Sequence, residues 1–527
     1  MKSTLFYNGI ILTQDDQRSV ASAMLVAGNT IVAVGKLDSI AKQKKSDTEL
    51  IDLKGKCVLP GFNDAHIHVW KVGQLESFIV DLRGARSIPE LRYKVKSVAD
   101  KLPAGRWIVG RGFNEQVLEE KRMPVKEDLD SISKDHPIYL IRTCAHIAAV
   151  NNLALQEAGV NESTPAPSGG VIGKTPSGSL TGIFYETAIG LISKHIPPPS
   201  YEEYKKMIAL GAEKLLRVGV TSATDPAVHP ELLEAYQKMY QNGERSVRFN
   251  LMPILLPDGG DKPFPIPEKF ENEYLTINTV KFFSDGGLSG KTAALKRSYK
   301  NSSDKGVLRL KREYFYTLVK DAQEKGFRIG THAIGDEAIE LVLSVYKELY
   351  HQFGDTRNRI EHLGLPTEKN IIDIAVYAFV PVTQPIFLDE LGENFISALG
   401  DDYINTCYPV RSLLNKHIPV AFSTDAPVVK NISPWKGIKA AVTRSTSSGN
   451  IIAPQESITV EEAIYAYTMG SAYAEGSEHL KGSLEPGKLA DFIIVDKNPT
   501  DISTEKLDTM LVEATYVDGV CVYQINA

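Results

Sequence analysis

Cysteine is scarce in this chain. Its 527 residues carry four, Cys57, Cys144, Cys407 and Cys521, widely spaced and with no CxxC pair. That spacing excludes a disulfide framework, and reduced thiols in a cytoplasmic setting are the expectation. An excess of positive charge is missing too. With 59 Lys and Arg against 65 Asp and Glu, the net charge is -6 and the pI about 6.1, so there is no basic field to hold nucleic acid or an anionic membrane. Small molecules are the expected partners. No uncharged apolar stretch reaches the roughly 20 residues of a membrane span. In the opening MKSTLFYNGIILTQDDQ, Tyr7, Asn8 and Gly9 interrupt the apolar run that a signal peptide needs. Internal repeats and low-complexity tracts are also absent. The 43% hydrophobic and 24% charged content is that of an ordinary globular protein. The length suits one large α/β barrel with accessories or three average domains.

The pattern along the chain narrows that choice. The first 55 or so residues read as β-rich (TLFYNGIILT, SAMLVAGNTIVAVG, ELIDLKGKCVLP), with Asn-Gly and Gly-Asn pairs that predict tight turns. The last 45 read alike, in LADFIIVDKNP and LVEATYVDGVCVYQI, so residues 1–57 and 478–527 are expected to share one small β-domain. Between them, short apolar runs alternate with helical ones: VTSATDPAV, VRFNLMPILL, NTVKFFSDGG, FRIGTHAIGD, NRIEHLG, AFVPVTQP and IPVAFSTDAP. Strands separated by helices imply parallel βαβ units. With KCVLPGFNDAH the count is about eight, the number a closed (β/α)8 TIM barrel requires, over 58–477. Residues 71–199 are too long for one crossover and read as an insertion after barrel strand 1, with IPPPS at 196–200 as a rigid exit linker.

Chemistry gathers where those strands end. In LPGFNDAHIHV, alternation along a strand points His66 and His68 the same way and Ile67 the other. His332 closes FRIGTH, His362 closes NRIEH, and Asp425 closes IPVAFSTD. Each alone is more often structural. Three unlinked strands ending in nitrogen or oxygen ligands, added to HxH, point to a divalent metal site, Zn²⁺ first and Mn²⁺, Fe²⁺ or Co²⁺ as alternatives. Lys281, in NTVKFFSDGG, would enter the barrel beside phenylalanines. Either it pairs with Asp425 or Asp285, or the desolvated amine loses its proton and takes up CO₂ as a carbamate able to bridge two cations.

GFNDAHIH, VKFFSDGGLSGKTAAL, THAIGD, RIEHLG and FSTDAP, in this order, resemble the metal-dependent amidohydrolase superfamily. They look closest to its Amidohydrolase 3 group, which includes N-substituted formamide deformylases. GSLEPGKLADFIIVD is similar to the run that re-enters the small domain, so the likeness covers nearly the whole chain. It implies a distorted (β/α)8 barrel with a composite β-sandwich. It further implies that His66 and His68 hold one metal, that Lys281 as a CO₂-derived carbamate bridges to a second held by His332 and His362, and that Asp425 binds the first metal and shuttles the proton. Homodimers are common among similar proteins. His146 in RTCAHIAAVNN matches a segment where similar proteins carry a substrate-contacting histidine, while Arg111 and Asn114 in GRGFNEQ are weaker substrate-binding candidates.

The expected reaction is hydrolysis of a C–N bond in an amide, N-substituted formamide, carbamate or cyclic amide, by attack of metal-bound hydroxide with Asp425 carrying the proton. Heterocycle deamination is the competing reaction. Members that perform it resemble one another in an HxxE pattern near the strand-five histidine, whereas Gly335 stands three residues after His332 and the first acid is Asp336. Phosphotriester hydrolysis lacks a cation cluster to receive the phosphate. A non-catalytic, metal-binding regulatory role is the alternative outside enzymology, and the presence of all six candidate ligands gives it no support.

Overall fold

The computed structural model describes residues 3–143, 147–167, 170–257 and 262–525. The chain is mixed α/β and forms two compact units, Met1–Val69 with Gly211–Ala527, and Trp70–Leu210.

Eight short strands organise the larger unit. In chain order they are β1 (Phe62–Asp64), β2 (Val220–Val228), β3 (Arg248–Pro253), β4 (Thr279–Phe283), β5 (Arg328–Ala333), β6 (Arg359–His362), β7 (Val380–Thr383) and β8 (Ala421–Phe422). β1, β2 and β3 pair side by side in parallel, continued beyond β3 by Leu275–Ile277 and Phe270–Glu271. β4 to β8 make a second parallel sheet in chain order. Two links connect the edges of these sheets. Ile254, just past β3, bridges Lys281 of β4 in parallel, and the Ala65 N–H, just past β1, donates to the Phe422 carbonyl of β8 at 3.2 Å.

The alternation of a strand decides what enters the interior. On β4, Val280 and Phe282 are buried, and Phe282 meets Phe315 of the helix Arg312–Glu324 with ring centroids 5.5 Å apart. Thr279 and Lys281 therefore face the other way. Helices Asp336–Phe353, Glu368–Val376 and Ile386–Ala398 fill the intervals from β5 to β8. The first buries Ile339, Val342, Val345, Tyr346 and Leu349 at three- and four-residue spacing and ends at Gly354, whose φ of 73° only glycine adopts cheaply.

The two ends of the chain meet in a separate eight-stranded sheet. Its order is Val520–Gln524, Val512–Val517, Phe492–Val495, Cys57–Pro60, Ser3–Leu12, Val20–Ala27, Thr30–Gly35, with Glu49–Asp52 also pairing with Ser3–Leu12. Phe6 packs edge-on against Phe492 and Tyr516, which stack on each other at 4.4 Å. One expectation fails here. Gly28 with Asn29 does turn the chain between two strands, but Asn8-Gly9 makes no hairpin: it lies inside Ser3–Leu12, where the register shifts between Tyr7 and Ile11 and Asn8 has φ 59°. A Cβ on Gly9 would fall 2.6 Å from Leu53 Cδ1 and 2.8 Å from the Lys56 carbonyl, so close approach of backbone selects glycine there.

The smaller unit is built on a six-stranded sheet in the order Gly170–Lys174, Leu180–Glu186, Ile147–Val150, Ile138–Arg142, Ile108–Phe113, Ile79–Asp81, antiparallel through Ile138–Arg142 and parallel after it. One apolar cluster gathers Leu82, Leu91, Val95, Ile108, Phe113 and Leu140, and another Tyr139, Ala148, Val150, Phe184 and Ile192. The stretch 196–200 leads directly into the helix Tyr201–Arg217, within which the two units divide. Among the described residues no helix is long and apolar enough to cross a membrane.

Candidate metal centre

β1 stops at Asp64, so His66 and His68 lie beyond the strand and not within it, as alternation had assumed. Their segment bends at Ala65 and His66 and is held by its neighbours instead. Ile67 N–H donates to the Thr224 carbonyl at 2.9 Å, His68 N–H to the Ala426 carbonyl at 2.9 Å, and Asp425 N–H to the His66 carbonyl at 2.7 Å. The Nε2 atoms of His66 and His68 thus converge on Asp425 Oδ1, at 3.7 and 3.5 Å. His362 ends β6 with φ 74°, and Asp425 follows β8 with φ 56°. A left-handed backbone at a side-chain-bearing residue costs on the order of 1–3 kcal/mol, and such strain concentrates at functional sites.

The remaining candidates join the same cluster. The His66 and His362 rings lie 4.8 Å apart between centroids, and His332 and His362 4.4 Å. One donor atom each from His66, His362 and Asp425 lies within 4.8 Å of the others. Lys281 is fully buried, its Nζ 4.9 Å from the centre of the Phe283 ring, and it has no hydrogen-bond partner among the described residues. The pairing with Asp425 or Asp285 that the sequence left open is thus not formed as a hydrogen bond.

Burial sets the electrostatics. It pushes His66 and His332 well below the usual imidazole range, and His362 down to about 3, with the Lys281 charge adding to the effect in each. These rings are neutral and carry a lone pair, as a metal ligand must. Burial also brings the Lys281 amine down to about 8, against the pull of Glu361 and Asp425. An unprotonated amine is therefore accessible near neutrality. Two neutral imidazoles and a carboxylate within a few ångströms, beside a buried amine with no hydrogen-bond partner among the described residues, make a donor set that fits a divalent ion.

Around these residues stands a ring of buried acids and amides that the sequence reading did not single out. Glu361 Oε2 lies 2.5 Å from His66 Nδ1, and Gln384 Oε1 2.9 Å from His362 Nδ1. Asp225 accepts from the Tyr236 hydroxyl at 2.7 Å and has Oδ1 4.0 Å from His68 Nδ1. Asp285 accepts from the backbone of Ala294, Ile334 and Gly335 and lies 3.4 Å from His332 Nε2. Asp64 accepts from Thr424 and from the His66 N–H. Burial holds Asp64 and Asp285 up at about 7 despite these donors. A sequence signal existed for Glu361: Arg359 and Glu361 alternate with Ile360 in the short run RIEH, placing two charges on one face.

Arg111 and Asn114 belong to the Trp70–Leu210 unit, and the residues of this cluster to the other. Arg111, on Ile108–Phe113 of the smaller unit, is half-buried, and burial beside Arg83 pushes its guanidinium down from its ordinary value. The Asn114 side-chain oxygen accepts from Gln116 N–H at 3.1 Å and Arg142 Nη2 at 3.3 Å, which makes it a turn-forming residue. His146 lies outside the described residues.

Comparison with known proteins bears on this geometry. The model of the Amidohydrolase family matches residues 49–523. The Bacillus subtilis protein YtcJ is 30% identical, covering 99% of each chain. The N-substituted formamide deformylase of Arthrobacter pascens is 28% identical, again over 99% of each. Among solved structures, an uncharacterized metal-dependent hydrolase from Pyrococcus horikoshii superposes with a TM-score of 0.80 at 27% identity, covering 96% of this chain and 99% of that one.

Proposed function

Because the chain belongs to the amidohydrolase family, we propose that it is a metal-dependent hydrolase of amide-type C–N bonds in small molecules, N-substituted formamides, carbamates and cyclic amides among them. The convergence of His66, His362 and Asp425 on one point beside Lys281, which has no hydrogen-bond partner among the described residues, carries this reading. His66, His68 and Asp425 would hold one ion and His332 and His362 a second, with Lys281 between them as a carbamate. Zn²⁺ suits this nitrogen and oxygen set best. The carbamate would form by attack of the neutral amine on CO₂, the N–C bond forming as one C=O π bond opens to an oxyanion and the amine releases one proton. A divalent cation supplies Lewis acidity toward water and toward a carbonyl oxygen.

The protein's own residues account for the proton. Asp425, reached by both histidines of the HxH pair, takes the proton from the attacking water and delivers it to the departing nitrogen. The carbonyl carbon gains a C–O bond and loses its C–N bond, giving a carboxylate and an amine. Fixed orientation of Asp425 matters here, and its backbone bond to the His66 carbonyl provides it.

The finer architecture belongs to the same proposal. The Ile254–Lys281 bridge and the Ala65–Phe422 hydrogen bond support closure of β1 to β8 into a distorted barrel over 58–477. The shared terminal sheet supports a composite β-sandwich from 1–57 and 478–527, and the separate sheet of the Trp70–Leu210 unit supports an insertion of about 71–199 after the first barrel strand.

Metal analysis and an Asp425→Asn assay test the reading on N-substituted formamides, carbamates and cyclic amides. One to two ions per chain, activity lost on chelation and regained with Zn²⁺, and a drop of about 10²–10⁴-fold in the variant are expected. Full activity in Asp425→Asn, or in metal-free protein, overturns it.

A further inference from the structure

Glu361 does something more specific than fill space. It is fully buried on β6, and its side chain reaches His66, which follows β1; four further strands, β2 to β5, separate β1 from β6 in sequence. Oε2 lies 2.5 Å from His66 Nδ1. The carboxylate is itself clamped. Arg359, two residues earlier on the same face and fully buried, donates from Nε to Oε1 at 2.7 Å and from Nη2 to Oε2 at 3.0 Å. The same Nη2 donates to the carbonyl of Ala65, the residue before His66, at 2.7 Å. One guanidinium thus fixes both the carboxylate and the backbone that carries the histidine. Space for the carboxylate is kept on β5 as well: a Cβ at Gly330 would stand 3.0 Å from Glu361 Oε1.

We infer that Glu361, clamped by Arg359, is a positioning residue that locks His66 in the tautomer with hydrogen on Nδ1 and its lone pair on Nε2, aimed at the metal centre. The logic is that of hydrogen-bond inventory. A neutral imidazole has one N–H, and a carboxylate accepts, so the hydrogen sits on Nδ1 and Nε2 is bare. That Nε2 is the nitrogen facing Asp425, 3.7 Å from Oδ1. The adjacent ligand is treated differently. His362 Nδ1 meets the neutral amide oxygen of Gln384, whose own NH₂ is anchored on Ser423 Oγ at 2.9 Å. A carboxylate behind one ligand raises its basicity, which an amide does not, so the ion nearer His66 is the more tightly held.

This inference rests on the metal reading of the site, and the experiment separates the two. Zn²⁺ affinity is measured by competition with a chromophoric chelator for the unaltered full chain and for Glu361→Gln. The glutamine keeps the shape, removes the charge and can present an NH₂ to Nδ1, which reverses the tautomer. Affinity is expected to fall about 10–100-fold, with a changed visible spectrum of the Co²⁺-loaded protein. Equal affinity within twofold and an unchanged Co²⁺ spectrum overturn the inference while leaving the metal reading intact. No binding by the unaltered protein overturns both. Because Glu361→Gln leaves Arg359 unpaired in the interior and the variant can fail to fold, a second measurement uses the unaltered chain. In metal-free protein labelled with ¹⁵N-histidine, the resonance lost in His66→Gln is expected to show a protonated Nδ1 and an unprotonated Nε2. The opposite tautomer, or an even mixture, overturns the inference.

Discussion

Two buried cations of the larger unit, Arg248 and Lys281, are treated in opposite ways. Arg248, at the start of β3, sits on Asp491 with Nε and Nη2 at 2.5 and 2.9 Å, on Asp518 at 2.5 Å and on the Glu273 carbonyl at 3.0 Å, with Tyr274 beneath its plane at 4.6 Å. Lys281, on the neighbouring strand, has no hydrogen-bond partner at all among the described residues. A buried charge is tolerated when paired and costly when not. The first arrangement therefore binds β3 to the terminal sheet, while the second disfavours the charged form of the amine and favours its neutral form.

That contrast can be broken by substitution. The largest effect is expected from Lys281→Met in zinc-loaded protein, where turnover of any amide-type substrate that the unaltered chain hydrolyses falls by about 10³-fold or more, the scale of several kcal/mol of lost transition-state stabilisation. A steady-state assay at matched zinc content checks it, and activity within tenfold of the unaltered chain contradicts the contrast. Next, Arg248→Met leaves Asp491 buried without its partner and lowers unfolding free energy by about 3–5 kcal/mol, with zinc affinity unchanged within twofold; guanidinium denaturation and chelator competition read the two quantities separately.

The third prediction runs against intuition. In metal-free protein, Lys281→Met stabilises the fold, because the amine falls from 10.5 to about 8 on burial. The unfolded chain then binds more protons than the folded one between these values, so folding carries a penalty on the order of 3 kcal/mol at neutral pH. The penalty is full below pH 8 and fades as pH rises from 8 to 10.5. The stability advantage of the variant over the unaltered chain should shrink across that window, and an advantage independent of pH would count against a desolvated amine. Smallest is the Glu115–Arg142 pair of the other unit, at 2.6 and 2.9 Å. The Arg142 guanidinium holds the Glu115 carboxyl down to about 2. Its contribution is present above about pH 4.5, is lost as pH falls toward 2, and stays under about 1 kcal/mol in water; denaturation of Glu115→Gln at pH 7 and pH 3 measures it.

Much of this was legible in the chain, for a physical reason. His332, His362 and Asp425 stand where short apolar runs stop, and parallel strands bring such ends together whatever lies between. What stayed hidden depended on long-range partners. Arg248 lies 243 residues from Asp491 and 270 from Asp518, and nothing local distinguishes it from a surface arginine. Glu361 was overlooked for the opposite reason, proximity. A regular pleat sends neighbours to opposite faces, so choosing His362 as a ligand argued against Glu361. The left-handed backbone at His362 breaks the alternation and lets both side chains approach His66. Asn8-Gly9 misled because its hairpin composition also serves a bulge, and only the nearby Leu53 and Lys56 decide between them.

The pairing of Cys57–Pro60 with Phe492–Val495 has a consequence in time. These strands are neighbours in space, yet Leu59 opposes Ile493, more than 400 residues later. At roughly 5–20 residues per second, a ribosome takes on the order of 20–90 s to travel between them. Throughout that interval the edge just ahead of His66 has no partner on that side, and Asp425 does not yet exist for most of it. The full set of candidate ligands thus exists only once residue 425 has been made, and a polypeptide interrupted before Phe492 leaves Cys57–Pro60, just ahead of His66, without its partner on that side.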